Sequence, residues 1–331
     1  MIEGGIPAKT AISILISGGS IVKGGDYYFN SSKSCVVKSA YFQLQNEFPI
    51  LQGLKSTLGA RYDKANNLIE PGNSFSKISP RLGLVQRVTD CLNIKLLHGT
   101  AMRGLGLKES IDNTMYADEY KRKTGSSTTF TAKPETIETS EASAIYYTKR
   151  FQTSITYFNS IMKNPIRAYN VITGFVVPYL NVAKEHKTSG VEFDFDMGIP
   201  NGKFFINAAI QESKDSDTGK EIPNIPKTKL NAGLLYHLPS DLDVSLLIKN
   251  AAYTERSATS TTVLAKLGDR VAGHTVVDVN CIKKVSDDVR LELKINNLFD
   301  KKWYYPQLSD ILDFDHPQPA RTVLVSVNVR L

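Results

Sequence analysis

The sequence predicts an all-β protein, an antiparallel transmembrane β-barrel of about 14 strands. Three observations carry this. Apolar and polar residues alternate with a two-residue period from one end of the chain to the other. The alternating stretches run to roughly 9 to 12 residues, longer than the five or six usual in soluble sheets. The connections between them are tight and long in turn. Because successive side chains of a strand point to opposite faces, each stretch carries one apolar and one polar face.

The elements follow in chain order. AISILIS, at 11–17, supplies a first strand, and residues 1–36 are read as a remnant strand and loop of an upstream barrel region, with 37–331 as the barrel. Phe42, Leu44 and Phe48 then oppose Gln43, Gln45 and Glu47. Val191, Phe193, Phe195 and Met197 oppose Glu192, Asp194 and Asp196, three carboxylates expected to line a lumen and to be satisfied by water and facing cations. Leu230, Ala232, Leu234, Tyr236 and Leu238 oppose Lys229, Asn231 and His237, and Leu242, Val244, Leu246 and Ile248 oppose Asp243, Ser245 and Lys249. Val289, Leu291, Leu293 and Ile295 share a face against Arg290, Glu292, Lys294 and Asn296, and Val323, Val325, Val327, Val329 and Leu331 close the chain against Thr322, Ser326, Asn328 and Arg330.

Turn chemistry of the Pro, Gly, Asn or Asp kind marks tight connections at 49–53, 89–91, 149–150, 199–202, 239–241 and 285–287. Long ones lie at 64–77, 103–136, 163–178, 211–226, 253–273 and 299–320. Short turns at one end and long loops at the other are how outer-membrane barrels are built. No helical domain, fixed-period repeat or low-complexity linker appears, apart from the Ser/Thr patch TGSSTTFTAK inside a long loop.

Composition narrows the classes. No run of about 18 apolar residues exists, which excludes a membrane-spanning helix but not spanning strands. The net charge of +7 is spread along the chain, so a nucleic-acid partner has no basic stripe to bind. Cys35, Cys91 and Cys281 lie far apart with no CxxC spacing, against a zinc or redox motif, and a disulfide between two of them stays open. Cys281 continues the face of Val277 and Val279 as a small hydrophobe. MIEGGIPAKTAISILISGG makes a poor signal peptide.

No catalytic constellation, cofactor motif or metal site emerges, and the expectation is that the chain is not an enzyme. There is no GxSxG elbow, and SGGSIVKGG lacks the ending of a phosphate loop. SDILDFDH, with Asp310, Asp313, Asp315 and His316, fits no calcium-loop spacing and reads as solvated loop. The longest loop holds Arg103, Tyr116, Tyr120, Lys121 and Arg122, whose forks and rings suit an anionic or aromatic chelate, so Arg103, Tyr116, Tyr120 and Arg122 are the candidate ligand-binding residues.

Several segments also carry a family resemblance. LKINNLFDKKWYYP resembles the penultimate strand signature of TonB-dependent outer-membrane receptors, and ARTVLVSVNVRL resembles their closing strand. Upstream, SAYFQLQNEF, LGARYD, ISPRLGLVQRVTDCLNIKLLHGTAMRG, KPETIETSEASAIYY, SGVEFDFDM and DTGKEIPNIPKTKLNAGLLYHL fall in the family's order, so the resemblance covers 38–331. It implies a bacterial outer-membrane receptor for TonB-coupled uptake of a ferric siderophore, haem or a cobalamin-like nutrient, with membrane lipid, an iron chelate and the TonB complex as partners. It also implies that 296–305 leaves the lipid zone for an outer loop, with Trp303, Tyr304 and Tyr305 in an interfacial aromatic girdle. The TonB-contacting box and plug are not readable, and against the family's 22 strands about eight are missing. The chain therefore looks like the C-terminal part of a receptor. The closing residue, usually aromatic in the family, is Leu331. Two other readings meet the same pattern: a plugless passive pore and a soluble all-β binding protein.

Overall fold

The structure, a computed structural model, describes residues 10–24, 33–48, 53–67, 74–168, 178–181, 185–216, 219–256, 261–306 and 314–330. Its elements in chain order are β1 (Thr10–Gly24), β2 (Lys33–Phe48), β3 (Leu54–Asn67), β4 (Phe75–Arg87), β5 (Leu92–Arg103), α1 (Leu107–Thr124), β6 (Glu135–Tyr147) and β7 (Phe151–Lys163). There follow β8 (Ile166–Ala168), β9 (Tyr179–Asn181), β10 (His186–Ile199), β11 (Gly202–Asp215), β12 (Thr228–Leu238), β13 (Leu242–Ala251), β14 (Thr254–Glu255), α2 (Thr261–Leu267) and β15 (Arg270–Val271). The last are β16 (His274–Lys284), β17 (Val289–Asn296), β18 (Tyr304–Tyr305), β19 (His316–Pro317) and β20 (Thr322–Val329).

The long strands form one 14-stranded sheet in sequence order, from β1 at one edge to β20 at the other. The remaining pairs, β8-β9, β14-β15 and β18-β19, are short ribbons within the long connections. Every sheet contact is antiparallel between neighbours in order, so the tight turns gather at one end and the long connections at the other, as the alternation of lengths predicts.

Register decides which side chains share a face. Leu44 stands opposite Leu58, and Leu58 opposite Leu82. Tyr157 stands opposite Val191, and Val191 opposite Ile210. Leu293 stands opposite Val325. This apolar face is the exposed one: Ile155 is 53% exposed, Ile210 65% and Val325 69%. A soluble sandwich would turn these residues inward, so the soluble reading is set aside; an exposed apolar face opposite a polar one is the pattern of a membrane-spanning sheet.

The other face is polar and bonded across the strands. Arg61 Nε donates to both Asp63 oxygens at 2.9 Å, and Ser39 donates to the same carboxylate. Thr139 and Ser160 hydroxyls meet at 2.9 Å, Thr156 donates to Ser143 at 2.9 Å, and Thr188 and Ser213 meet at 2.8 Å. Asp194 accepts from Asn207 (2.6 Å) and Ser154 (3.2 Å), and Asp196 pairs with Lys203 at 2.7 Å. The strand carboxylates Asp194 and Asp196 thus have the facing donors that the lumen reading requires. One cavity of about 920 Å³ takes wall residues from β2 to β6, among them Gln43, Lys55, Arg81, Leu97 and Glu141, which makes this the concave face.

Local chemistry fixes the tight turns. Thr89 Oγ1 accepts from the amides of Cys91 and Leu92, and Thr148 Oγ1 accepts from those of Arg150 and Phe151, the same hydroxyl turn twice. Asn201, Ser240 and Asp241 take φ of +60°, +67° and +53°, values that short polar side chains tolerate best. On the concave face Gly233 lies under Phe205, where a Cβ would come within 2.2 Å of the ring. Cys91 and Cys281 are free thiols, whereas Cys35 belongs to the part of β2 whose side chains are outside the description.

Candidate functional site

The long connections build the outer end of the molecule, and two groups of them have their own internal packing. In the first, β5 ends at Arg103, whose Nε donates to Glu135 and whose Nη1 donates to both oxygens of Glu109 at 2.9 and 3.0 Å. Glu109 also accepts from the Gly106 amide at 2.7 Å, which satisfies an otherwise orphan donor at the start of α1. At the other end Lys121, Arg122 and Lys123 complement the helix dipole, and Gly125, at φ +73°, terminates it through its amide on the Lys121 carbonyl.

A helix inside this loop is not what the sequence pattern announces. Its buried positions are Ser110, Asn113 and Tyr116, spaced three apart, and two of the three are polar. Asn113, fully buried, donates to the carbonyls of Phe130 (2.8 Å) and Tyr179 (3.0 Å) and accepts from the Tyr179 amide (2.6 Å). Asn181 does the same for Lys133 and Asn164. Leu105, Ala132 and Ile166 are buried together, with Tyr179 packed against them. The described parts of these connections, 104–134 with 164–168, 178–181 and 185, thereby become one module.

The predicted ligand-binding residues are all on or beside this module, in different situations. Tyr116 is 0% exposed, edge-on to Phe130 at 4.9 Å, so its ring is part of the module's core. Tyr120 is half-buried, also edge-on to Phe130, at 5.7 Å. Arg103 is occupied by two carboxylates. Arg122 is open to solvent, with Glu119 at 3.8 Å.

The second group joins the described residues of 252–273 to those of 297–321. Arg256, its side chain 3% exposed, forks onto Asp315 (Nη2 to Oδ2, 2.7 Å) and donates to the carbonyls of Gly268 (2.9 Å) and Leu267 (3.2 Å). The aspartate of the acidic stretch therefore serves as a tie between loops; Asp310 and Asp313 lie outside the described residues, as does Leu331, and His316 forms part of β19. Nearby, a hydrogen bond to Glu255 raises the pKa of the Arg270 guanidinium, whose flat face covers Tyr253 at 4.6 Å.

After β17 the chain folds back over the concave face. Asn297, 3% exposed at φ +53°, donates its amide N–H to Asp278 at 2.8 Å. Its side chain clasps Lys301, accepting from the amide (2.8 Å) and donating to the carbonyl (2.9 Å). Asp300, at φ +52°, accepts from the Arg321 amide. This turn lays Trp303 on His274, ring centroids 4.2 Å apart. His274 is on the parity of Val276 and Asp278, the concave side, so the Trp303 ring is committed to packing there, while Tyr304 and Tyr305 remain exposed. Sequence reasoning missed His274; its signal is only a histidine opening an alternating strand.

The family described as TonB dependent receptor-like, beta-barrel matches residues 16–298. The heme/hemopexin utilization protein C of Haemophilus influenzae (strain 86-028NP) is 23% identical over 307 residues, 86% of this chain and 42% of that protein. Among solved structures, the FrpB iron transporter of Neisseria meningitidis (F3-3 variant) superposes with a TM-score of 0.68 at 17% identity, over 92% of this chain and 46% of that one. A ferric enterobactin receptor mutant of Pseudomonas aeruginosa, in complex with enterobactin, does so with a TM-score of 0.70 at 19% identity, over 90% and 46%. The chain thus spans less than half the length of these relatives.

Proposed function

We propose that this chain, which belongs to the TonB-dependent receptor-like β-barrel family of outer-membrane proteins, forms barrel wall and outer loops of a receptor for TonB-coupled uptake of an iron chelate. The chelate class is ferric siderophore, haem or a cobalamin-like compound. The observation that carries the reading is the inverted sheet: an exposed apolar face, a hydrogen-bonded polar face around a cavity, and every long connection at one end. Such a wall suits a polar path through lipid with capture at its mouth. The names of the relatives, haem utilization, iron transport and an enterobactin complex, favour the same cargo class.

Ligand contact is assigned to the open side of the first loop module, with Arg122 and Tyr120 toward the chelate and Arg103 and Tyr116 holding the loop in shape. Membrane lipid covers the apolar face, with Tyr304 and Tyr305 assigned to its outer boundary. The reading is tested by iron uptake in a receptor-deficient Gram-negative host producing the protein, with and without TonB. Uptake is expected to need TonB and to fall several-fold with Arg122→Ala. Equal uptake without TonB would instead identify a passive pore.

A further inference from the structure

We infer that the recess beside His274 and Lys301, where the post-β17 turn folds over the concave face, is a binding site for an anionic group carried on a flat ring, an aromatic carboxylate or phenolate. The inference rests on the proposed role of the outer end as the mouth that receives ligand.

Three hydrogen-bonding groups at this place have no protein acceptor or donor among the described residues. The indole N–H of Trp303 is shut off from solvent and unpaired. The His274 ring stacks on that indole and takes no side-chain hydrogen bond, its residue being held through its carbonyl by Asn250 at 3.2 Å. The Lys301 ammonium is exposed and has no carboxylate beside it, although both main-chain groups of Lys301 are fixed by Asn297. The indole lies behind His274 and outside the lining of the recess, so the exposed ammonium and the unused imidazole are the donors left there for an acceptor.

The recess holds about 540 Å³ and is lined by Asn250, Tyr253, Gly273, His274, Thr275 and Lys301. That space admits one ring with substituents. Tyr253, covered on one face by Arg270, and His274, backed by Trp303, supply flat walls, and Lys301 supplies the charge. The nearby carboxylates are engaged: Asp278 by Lys249 and the Asn297 amide, and Glu255 by Arg270. A ring fits the walls and an anionic oxygen fits the donors; a neutral ring or a bare anion uses half of the site.

Trp303 is the single tryptophan of the chain, so its fluorescence reports this recess alone. The test uses the full chain in detergent micelles, with benzoate as probe, benzamide as its uncharged isostere and acetate as the anion without a ring. A saturable change with benzoate is expected, with benzamide and acetate at least about tenfold weaker, as loss of a charge-assisted hydrogen bond implies. Lys301→Gln, at an exposed position, is expected to weaken benzoate by about tenfold, and His274→Phe, which keeps a ring against Trp303, by about threefold. Benzamide binding as well as benzoate, Lys301→Gln leaving benzoate unchanged, or no saturable response overturns the site. Binding in micelles requires no transport, so bound benzoate without chelate uptake refutes the function alone, and uptake with a silent Trp303 refutes the site alone.

Discussion

The sheet and the first loop module are made from the same chain and obey opposite rules. In the sheet, Ile155, Ile210 and Val325 face outward while Asp63, Ser143 and Ser213 are buried. In the loop module, Tyr116, Phe130, Leu105 and Ile166 are buried while Lys108 and Arg122 face water. The difference teaches that burial here follows the local solvent. On the proposed reading, lipid as apolar as leucine replaces water outside the sheet and apolar residues gain nothing by turning inward, whereas a module in water needs a core.

The largest expected effect tests the module's core. Tyr116→Ala should cost about 3 to 5 kcal/mol locally, the usual penalty for emptying a buried aromatic site. Hydrogen exchange should rise across α1, β8 and β9 while the barrel strands keep their protection. Unchanged exchange would mean that the module has no cooperative core, and the contrast with the sheet would fail.

Leu293→Arg probes the other side of the comparison. Leu293 is exposed on the apolar face, and a charge there should cost about 2 to 4 kcal/mol in the equilibrium for folding into bilayers. A cysteine at 293 should take up a lipid-partitioning reagent and resist a charged one, with the reverse at 294. Equal aqueous labelling at both positions would remove lipid from the argument.

Asn297→Ala tests the turn that joins the two regions. It strips hydrogen bonds from Lys301 and Pro319 and replaces a residue suited to positive φ, for an expected loss of about 2 kcal/mol by denaturant titration. Trp303 emission should shift with it, since this turn sets the indole on His274. The smallest effect is expected for Lys294→Gln, within about 0.5 kcal/mol, because that side chain lies on the polar face where an amide serves as well.

Much of the sheet was legible because a two-residue period is a local property: each alternating stretch names its own faces, and alternating connection lengths name the ends. The outer end was less legible. α1 hides in its sequence because its buried face carries the polar Ser110 and Asn113 in place of an apolar stripe, and Asn113 is spent on backbone groups. Tyr116 packs on Phe130 and Trp303 on His274, contacts that no local pattern in the sequence announces.

What the sequence by itself determined was the β class, the strand positions, the inside and outside of each strand and the end that carries the loops. All of these follow from patterns within about ten residues or from the lengths between them. Only the tertiary structure decided that Asn113 fixes Tyr179, 66 positions away, that Arg256 ties Asp315, and that Trp303 comes to rest on His274. The physical reason is that an irregular connection has no period to declare its partners. Its polar groups take whichever distant donors and acceptors folding brings within reach, and that choice appears only when the loops are packed together.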